Sequence, residues 1–232
     1  MSIQMDFSLF AKPEFLTQVG KGLINTLELA AIAFALAMTV AVVIAVMRMS
    51  TNKLSVWVAT AYVEYHQNVP LLVHIFLWYF GVAAILPEAA QQWINAHNSE
   101  FIFAFIGIGL CLGAYMSEDL RGGIRSIPAS QLEASRALGL SYLQAARLVI
   151  MPQALRIALP PLINHTVLLF KNTSLAMAVG VAELTYVTKE VESATFKTFE
   201  VYLASTVIYL VLSLLLMWAG ALIEHRTKIK TR

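Results

Sequence analysis

The chain has 232 residues, of which 59% are hydrophobic and 13% charged, and its mean hydropathy is +0.71. A soluble domain carries about 25% charged residues, so this composition argues against a soluble enzyme and against disorder. The formal net charge of +2 argues against a nucleic-acid-binding surface, and the single cysteine, Cys111, excludes an internal disulfide. These features indicate an all-α, polytopic membrane protein.

Five apolar segments are predicted to cross the membrane as helices, because each approaches the roughly 20 residues that a span requires. They cover about 22–47, 56–86, 101–119, 155–181 and 201–223, within one membrane domain over residues 1–232. Pro70 interrupts the second segment. It should break the helical hydrogen bonds there and free carbonyl groups that a cavity or a neighbouring helix must satisfy.

The basic residues are distributed unevenly between the connections. Eleven of the 16 Lys and Arg residues fall in segments 47–55, 119–156 and 224–232, four fall in the alternating segments, and Lys171 lies within a span. By the positive-inside rule, the first set of segments and the C-terminus are expected in the cytoplasm and the N-terminus outside. The glutamates of the last outer connection are expected to be solvated: Glu183, Glu190, Glu192 and Glu200.

The segment 126–152 is too polar to span and carries two helix-start patterns. Ser130 with Glu133, and Ser141 with Gln144, have the spacing of capping boxes, in which each side chain binds the backbone N–H of the other residue. Gly139 supplies the left-handed residue that ends the first helix, and the second helix is expected to stop near Pro152. The sequence therefore predicts two short helices joined at a glycine.

The same segment resembles the EAA loop of bacterial ATP-binding-cassette import permeases. The likeness rests on Glu133-Ala134-Ser135, on Gly139, and on Val149-Ile150-Met151-Pro152, with mild departures at Ser135, Val149 and Met151. In that family the loop docks into a groove of the cytoplasmic ATPase. The resemblance implies that the following residues couple the chain to an ATPase: Glu133, Ala134, Ser135, Gly139, Leu140, Ser141 and Pro152.

Segments 22–29, 62–81, 114–141 and 160–176 are similar to the polar amino-acid branch of that family. The resemblance implies a non-catalytic permease of the bacterial inner membrane, with about five transmembrane helices and a cytoplasmic two-helix coupling loop. The chain has no G-x-x-x-x-G-K-[ST] pattern. We therefore expect no cofactor on this chain, and ATP with Mg²⁺ on a partner ATPase dimer. The other implied partners are a second permease, identical or paralogous, and an extracytoplasmic amino-acid-binding protein.

Polar side chains within the predicted spans are candidates for a substrate path, because a charge at the bilayer centre costs about 2.5–3.5 kcal/mol and requires a partner or water. The candidates are Glu64, His66, Asn68, Glu118, Asn164, Lys171, Asn172, Thr173 and Ser174. Local ion pairing among Glu118, Asp119 and Arg121 is an alternative to substrate contact. No group of His, Cys and Asp residues has metal-ligand spacing, so no metal site is predicted.

The block Asn68-Val69-Pro70-Leu71, and Asn172 where the family often has Asp, look closest to acidic amino-acid systems. Glutamate or aspartate is therefore the predicted substrate, and a basic or amide amino acid (histidine, arginine or glutamine) is the alternative within the same importer class. Two other classes remain open. One is an ATP-independent secondary carrier using Glu64, Glu118 and Lys171 for ion coupling, and the other is a membrane anchor or sensor.

Overall fold

The computed structural model describes residues 6–227, which form helices joined by short connections. The helices are α1 (Pro13–Arg48), α2 (Lys53–Asn68), α3 (Leu71–Phe76), α4 (Ala83–Ile85), α5 (Glu88–Asn95), α6 (Ser99–Arg125), α7 (Ala129–Ala137), α8 (Tyr142–Ala145), α9 (Met151–Asn172), α10 (Leu184–Thr195) and α11 (Thr198–Thr227). Two π-helical turns, Leu77–Val82 and Ala146–Ile150, and two 3-10 segments, Phe7–Ala11 and Thr173–Val179, complete the described structure. Residues 6–227 contain no strand, which confirms the all-α prediction. Lys228, Lys230 and Arg232 of the predicted basic tail lie outside these residues.

Four stretches of helix are long and apolar enough to cross a bilayer. They are α1, α6, α11 and the continuous run Tyr142–Val179, which includes α8 and α9. The remaining predicted span corresponds to α2 together with Leu71–Ile85, two pieces of helix that meet at a bend of 109°. The described residues thus contain four spans, or five if the bent pair counts as one, which agrees with the predicted number.

Pro70 causes the break between α2 and α3, as the sequence predicts. α2 ends at Asn68, and Pro70 immediately precedes the first residue of α3. Two carbonyls near the end of α2 accept hydrogen bonds from α6: Cys111 Sγ donates to His66 O at 3.5 Å, and Tyr115 Oη donates to Gln67 O at 3.4 Å. A neighbouring helix therefore satisfies backbone groups that would be costly to leave unpaired in lipid.

The chain divides into two compact units. The first comprises Met1–Ala35, Val69–Gly109 and Leu168–Leu215. Its apolar core includes Leu9, Phe15, Val187, Val191 and Val201. In this unit, α1 is bound to the start of α10, because Thr26 Oγ1 accepts a hydrogen bond from Leu184 N at 3.0 Å and Asn25 Nδ2 donates to Ala182 O at 2.8 Å.

The second unit comprises Leu36–Asn68, Leu110–Val167 and Leu216–Arg232. Its apolar core is built from Ile44, Ala59, Val63 and Ala114. Glycines allow its helices to approach closely. A Cβ added at Gly113 would lie 2.9 Å from Val40, one at Gly123 would lie 2.6 Å from Ala154 O, and one at Gly220 would lie 2.4 Å from Ile163. The loop 126–152 belongs to this unit.

Candidate functional site: a two-helix loop and polar groups within the spans

The turn between the two helices of the loop is a glycine-dependent C-cap. Gly139 has a φ of +85°, which is the left-handed region that favours glycine. Leu140 N donates to Ser135 O at 3.2 Å and Gly139 N donates to Arg136 O at 3.0 Å. These two bonds have the Schellman pattern, so the predicted glycine turn is present.

One of the two predicted capping boxes forms and the other does not. Gln144 N donates to Ser141 Oγ at 3.3 Å and Ser141 N donates to Gln144 Oε1 at 2.8 Å, so the box at the start of α8 is complete. The box predicted at Ser130 is wrong. α7 begins one residue earlier, at Ala129 after Pro128, and has no side-chain cap. Ser130 thus lies inside the helix, where its hydroxyl cannot act as the N-cap.

The prediction that the second helix stops near Pro152 is also wrong. α8 continues through the π-helical turn Ala146–Ile150 into α9 without interruption. Within this turn Met151 N donates to Ala146 O, five residues earlier. Because proline clashes with the carbonyl four residues before it in an α-helix, the wider π turn gives Pro152 a place that an α-helical turn would not. The loop is therefore joined directly to a membrane span.

The loop exposes a set of large apolar side chains. Leu138 is 84% exposed and Leu143 is 76% exposed, and Tyr142 and Leu148 are also exposed. Among the residues predicted to couple the chain to an ATPase, Glu133, Ala134, Gly139, Ser141 and Pro152 are exposed, Leu140 is half-buried, and Ser135 is buried. Ser135 Oγ donates to Gln131 O at 2.6 Å. Apolar surface of this kind typically marks a contact with another protein.

Glu118 is held by two arginines. It forms ion pairs with Arg48, at the end of α1, and with Arg121, one turn later on α6. The Arg121 Nε atom lies 3.1 Å from each carboxylate oxygen. This geometry corresponds to the local pairing that the sequence offered as an alternative for Glu118, with Arg48 as a partner that was not anticipated.

Asp119 binds His165, a residue whose partner the sequence did not identify. His165 Nδ1 on α9 lies 2.5 Å from Asp119 Oδ2, and the Tyr115 ring packs at 5.5 Å from the imidazole. The carboxylate places the proton on Nδ1 and leaves Nε2 available for a further contact. The occurrence of ionisable groups at both 119 and 165 within apolar runs was a signal of such a pair, because each requires a partner inside a span.

The remaining candidates for the substrate path differ in their surroundings. Asn68 Nδ2 donates to Glu64 O at 2.7 Å and contacts Glu64 Oε2 at 3.3 Å, while the buried His66 contacts Tyr62 O through Nδ1. Thr173 and Ser174 donate to carbonyls three residues earlier. Asn172 is half-buried, and Asn164 and Lys171 are exposed on α9. Lys171 makes no ion pair or side-chain hydrogen bond with any residue from 6 to 227.

Glu183 and Glu200 are buried, which corrects the expectation that the glutamates of the last outer connection are solvated. Glu183 caps α10, accepting hydrogen bonds from Thr185 N at 2.9 Å, Tyr186 N at 2.8 Å and Tyr209 Oη at 2.8 Å. Burial outweighs these bonds and raises the pKa of Glu183 above its ordinary value. Glu200 accepts a hydrogen bond from Asp6 N at 2.7 Å, so both carboxylates are structural.

No group of three or more His, Cys, Asp and Glu residues in the described part of the chain could hold a metal ion.

Comparisons with known proteins identify the family to which the chain belongs. Residues 37–229 match the family of binding-protein-dependent transport system inner membrane components. The chain is 36% identical over 205 residues to the probable glutamine ABC transporter permease protein GlnM of Bacillus subtilis (strain 168), covering 88% of this chain and 91% of that protein. It is 29% identical to the glutamate/aspartate import permease protein GltJ of Escherichia coli (strain K12), covering 95% of this chain and 91% of that protein. A crystal structure of an amino acid ABC transporter with histidines is similar with a TM-score of 0.84 and 30% identity, over 97% of this chain and all of that one.

Proposed function

Because the chain belongs to the family of binding-protein-dependent transport system inner membrane components, we propose a specific coupling surface, orientation and substrate for it. The chain is a multi-pass inner membrane protein and the permease subunit of an amino-acid ATP-binding-cassette importer. It is not catalytic, since the ATPase of such an importer is a separate subunit. ATP and Mg²⁺ bind to that partner in the proposed assembly.

The loop 126–152 is the proposed docking surface for the ATPase. The observation that carries this proposal is the continuous helix from Tyr142 to Val179, which joins the exposed apolar residues of α8 to a membrane span. Because no break separates the loop from this helical run, closure of the ATPase against the loop would be transmitted to the span. The Schellman turn at Gly139 and the capping box at Ser141 fix the shape of the docking surface.

This docking surface is tested by replacing Leu138 and Leu143 with glutamine in the assembled transporter. Both side chains are largely exposed, so the variants should fold, but the ATPase should be lost during affinity purification of the permease. The matched control is Phe196→Gln, since Phe196 is 86% exposed in a different connection and should retain the ATPase. Full retention of the ATPase by Leu138→Gln and Leu143→Gln together would refute the proposed surface.

The proposed orientation puts the loop in the cytoplasm and the N-terminus outside, on the strength of the uneven distribution of Lys and Arg residues. Members of this family work with an ATPase and a binding protein. In the proposed assembly, an ATPase dimer binds the cytoplasmic loops of two permeases, identical or paralogous, and an amino-acid-binding protein delivers the substrate from outside.

The proposed substrate is glutamate or aspartate, with a basic or amide amino acid as the alternative. The likeness to GltJ supports an acidic substrate, whereas the likeness to GlnM supports glutamine. Lys171 favours the acidic class, because its exposed ammonium lies within a span without a carboxylate partner among the described residues and could bind a substrate carboxylate. Asn164, on the same helix, could bind the remaining polar groups of an amino acid.

Uptake by the reconstituted transporter tests the substrate assignment. Lys171→Gln should lower uptake of glutamate by about tenfold, which corresponds to about 1.4 kcal/mol of lost interaction, while Lys171→Arg should retain most of it. Lys189→Gln changes an exposed lysine on α10 and serves as the control. Glutamine uptake that exceeds glutamate uptake in the unmodified transporter would instead support the amide alternative.

A further inference from the structure

A purely apolar groove lies between three helices of the second unit. Its volume is about 160 Å³, and it is lined by α1, α6 and α9 near the ends of α1 and α6 and the beginning of α9. Val46, Met49, Ile124, Met151 and Leu155 form its rim, and all of them except Ile124 are exposed large side chains. Of the residues that line the groove, only Met151 belongs to the proposed docking loop 126–152.

Small residues create the groove. Its floor contains Ala45, Ala154 and Ala158, each of which is buried, between the longer side chains of the rim. α6 and α9 are in close contact below it, because Gly123 lies against Ala154 O and Ala158. The groove is therefore a fixed depression between packed helices. It opens on the exposed surface of three helices that are long and apolar enough to cross a bilayer.

The same helix ends carry arginines that have no protein partner. Arg125 directly follows Ile124 of the rim, and Arg156 directly follows Leu155. Both side chains are exposed, and neither forms an ion pair or hydrogen bond with another residue in the range 6–227. Arg48, also at this end, differs because Glu118 neutralises it. Two unneutralised positive charges thus directly follow residues of the groove rim in the sequence, within one helical turn of it.

We propose that the groove is a binding site for one anionic phospholipid, with part of an acyl chain between the rim residues and the phosphate on Arg125 and Arg156. The volume suits this occupant, since an engineered apolar cavity of about 150 Å³ binds a molecule as small as benzene. A transmembrane helix with side chains is about 10–12 Å wide and does not fit. An apolar protein segment would also leave both arginines unpaired, whereas basic residues at a membrane surface attract anionic headgroups.

Native mass spectrometry of the complete transporter, titrated with phosphatidylglycerol or phosphatidylcholine, tests the proposal. The unmodified complex should retain phosphatidylglycerol through detergent washing and prefer it over phosphatidylcholine. Arg125→Gln with Arg156→Gln should weaken phosphatidylglycerol binding by roughly thirtyfold, about fivefold for each arginine. Arg226→Gln, which changes an exposed arginine at the end of α11, is the control and should bind normally.

A second pair of variants tests the acyl-chain part of the site. Val46→Trp fills the groove from its exposed rim and should abolish retention of phosphatidylglycerol. Val43→Trp places the same side chain on an exposed position of α1 outside the groove and should not. Equal lipid retention in all variants would overturn the proposal. So would protection of Val46→Cys from a maleimide by the partner permease but not by lipid, since a protein would then occupy the groove.

Discussion

Two consecutive glycines in α6 have different surroundings, although the sequence presents them as a pair. A Cβ on Gly123 would lie 2.6 Å from Ala154 O on α9, which is closer than real Cβ contacts, whereas a Cβ on Gly122 would meet no atom within 4 Å. Gly123 is therefore required for the packing of α6 on α9. Gly122 has no such role.

We expect Gly123→Ala to destabilise the protein and Gly122→Ala to leave it unchanged or stabilise it by about 0.5–1 kcal/mol, because alanine is the better residue within a helix. The midpoint of thermal unfolding in detergent, monitored by the loss of monodispersity of the purified chain, measures both effects. Equal midpoints for the two variants would show that α6 and α9 can separate without cost.

The turn at Gly139 is strained for any other residue. Its φ is +85°, and Gly180 has a φ of +91° in a different part of the chain; neither has an atom within 4 Å of an added Cβ. Alanine at either position should therefore cost about 1–2 kcal/mol through the backbone alone. If the loop couples to the ATPase, Gly139→Ala should increase the ATP hydrolysed for each substrate imported, whereas Gly180→Ala should not. The comparison separates lost coupling from lost stability.

We expect Glu183 to make the stability of the protein depend on pH. Burial raises its pKa in the folded protein, and Tyr209 is the ionisable side chain that hydrogen-bonds to it. The stabilising contribution of the protonated carboxyl is complete below the unfolded pKa, near 4.5, and is lost as the pH rises through the higher folded value. The unfolding midpoint of Glu183→Gln, relative to that of the unmodified chain, should therefore rise as the pH increases from 4.5 to 8.

The control for Glu183→Gln is Glu190→Gln, which changes an exposed glutamate of the same helix. Its unfolding midpoint should follow that of the unmodified protein at every pH. A constant difference between Glu183→Gln and the unmodified protein across the same range would show that Glu183 keeps its ordinary pKa.

At the scale of helices, the two serines of the predicted capping boxes have opposite outcomes. Ser141 caps α8 and Ser130 caps nothing. Ser141→Ala should therefore destabilise the start of the helical run Tyr142–Val179 by about 1 kcal/mol. Ser130→Ala should have little effect. Hydrogen exchange of the Gln144 amide measures the difference, since that amide loses its acceptor only in Ser141→Ala. Equal exchange in both variants would mean that the box contributes nothing.

The elements that the sequence predicts correctly are those determined by nearby residues. Gly139, the Ser141 box and the Pro70 break each depend on conformations within a few positions of the chain. The continuation of helix α8 through Pro152 into α9 could not be predicted, because a π turn has no distinct residue pattern. The π turn replaces the α-helical hydrogen bonds that proline would disrupt. The pairing of Asp119 with His165 was also missed, because the two residues are 46 positions apart and only the packing of α6 against α9 determines it.

At the scale of the whole molecule, a single chain leaves polar side chains exposed within its spans. Asn164 and Lys171 are both exposed on α9, and their separation of seven residues, about two helical turns, places them on one side of the helix. Neither can face hydrocarbon without a large cost. We therefore expect this side of α9 to border a second subunit or a water-filled path.

Cysteine accessibility in the assembled transporter distinguishes this arrangement from exposure to lipid. Lys171→Cys and Asn164→Cys should react with a charged, membrane-impermeant thiol reagent, and amino-acid substrate should slow both reactions if the path is shared. Leu214→Cys, on the apolar and exposed surface of α11, should not react, and the native Cys111 is buried and contributes little background. If Leu214→Cys reacted as fast as Lys171→Cys, α9 would not line a path. If neither α9 position reacted, this side of α9 would not line a water-filled path.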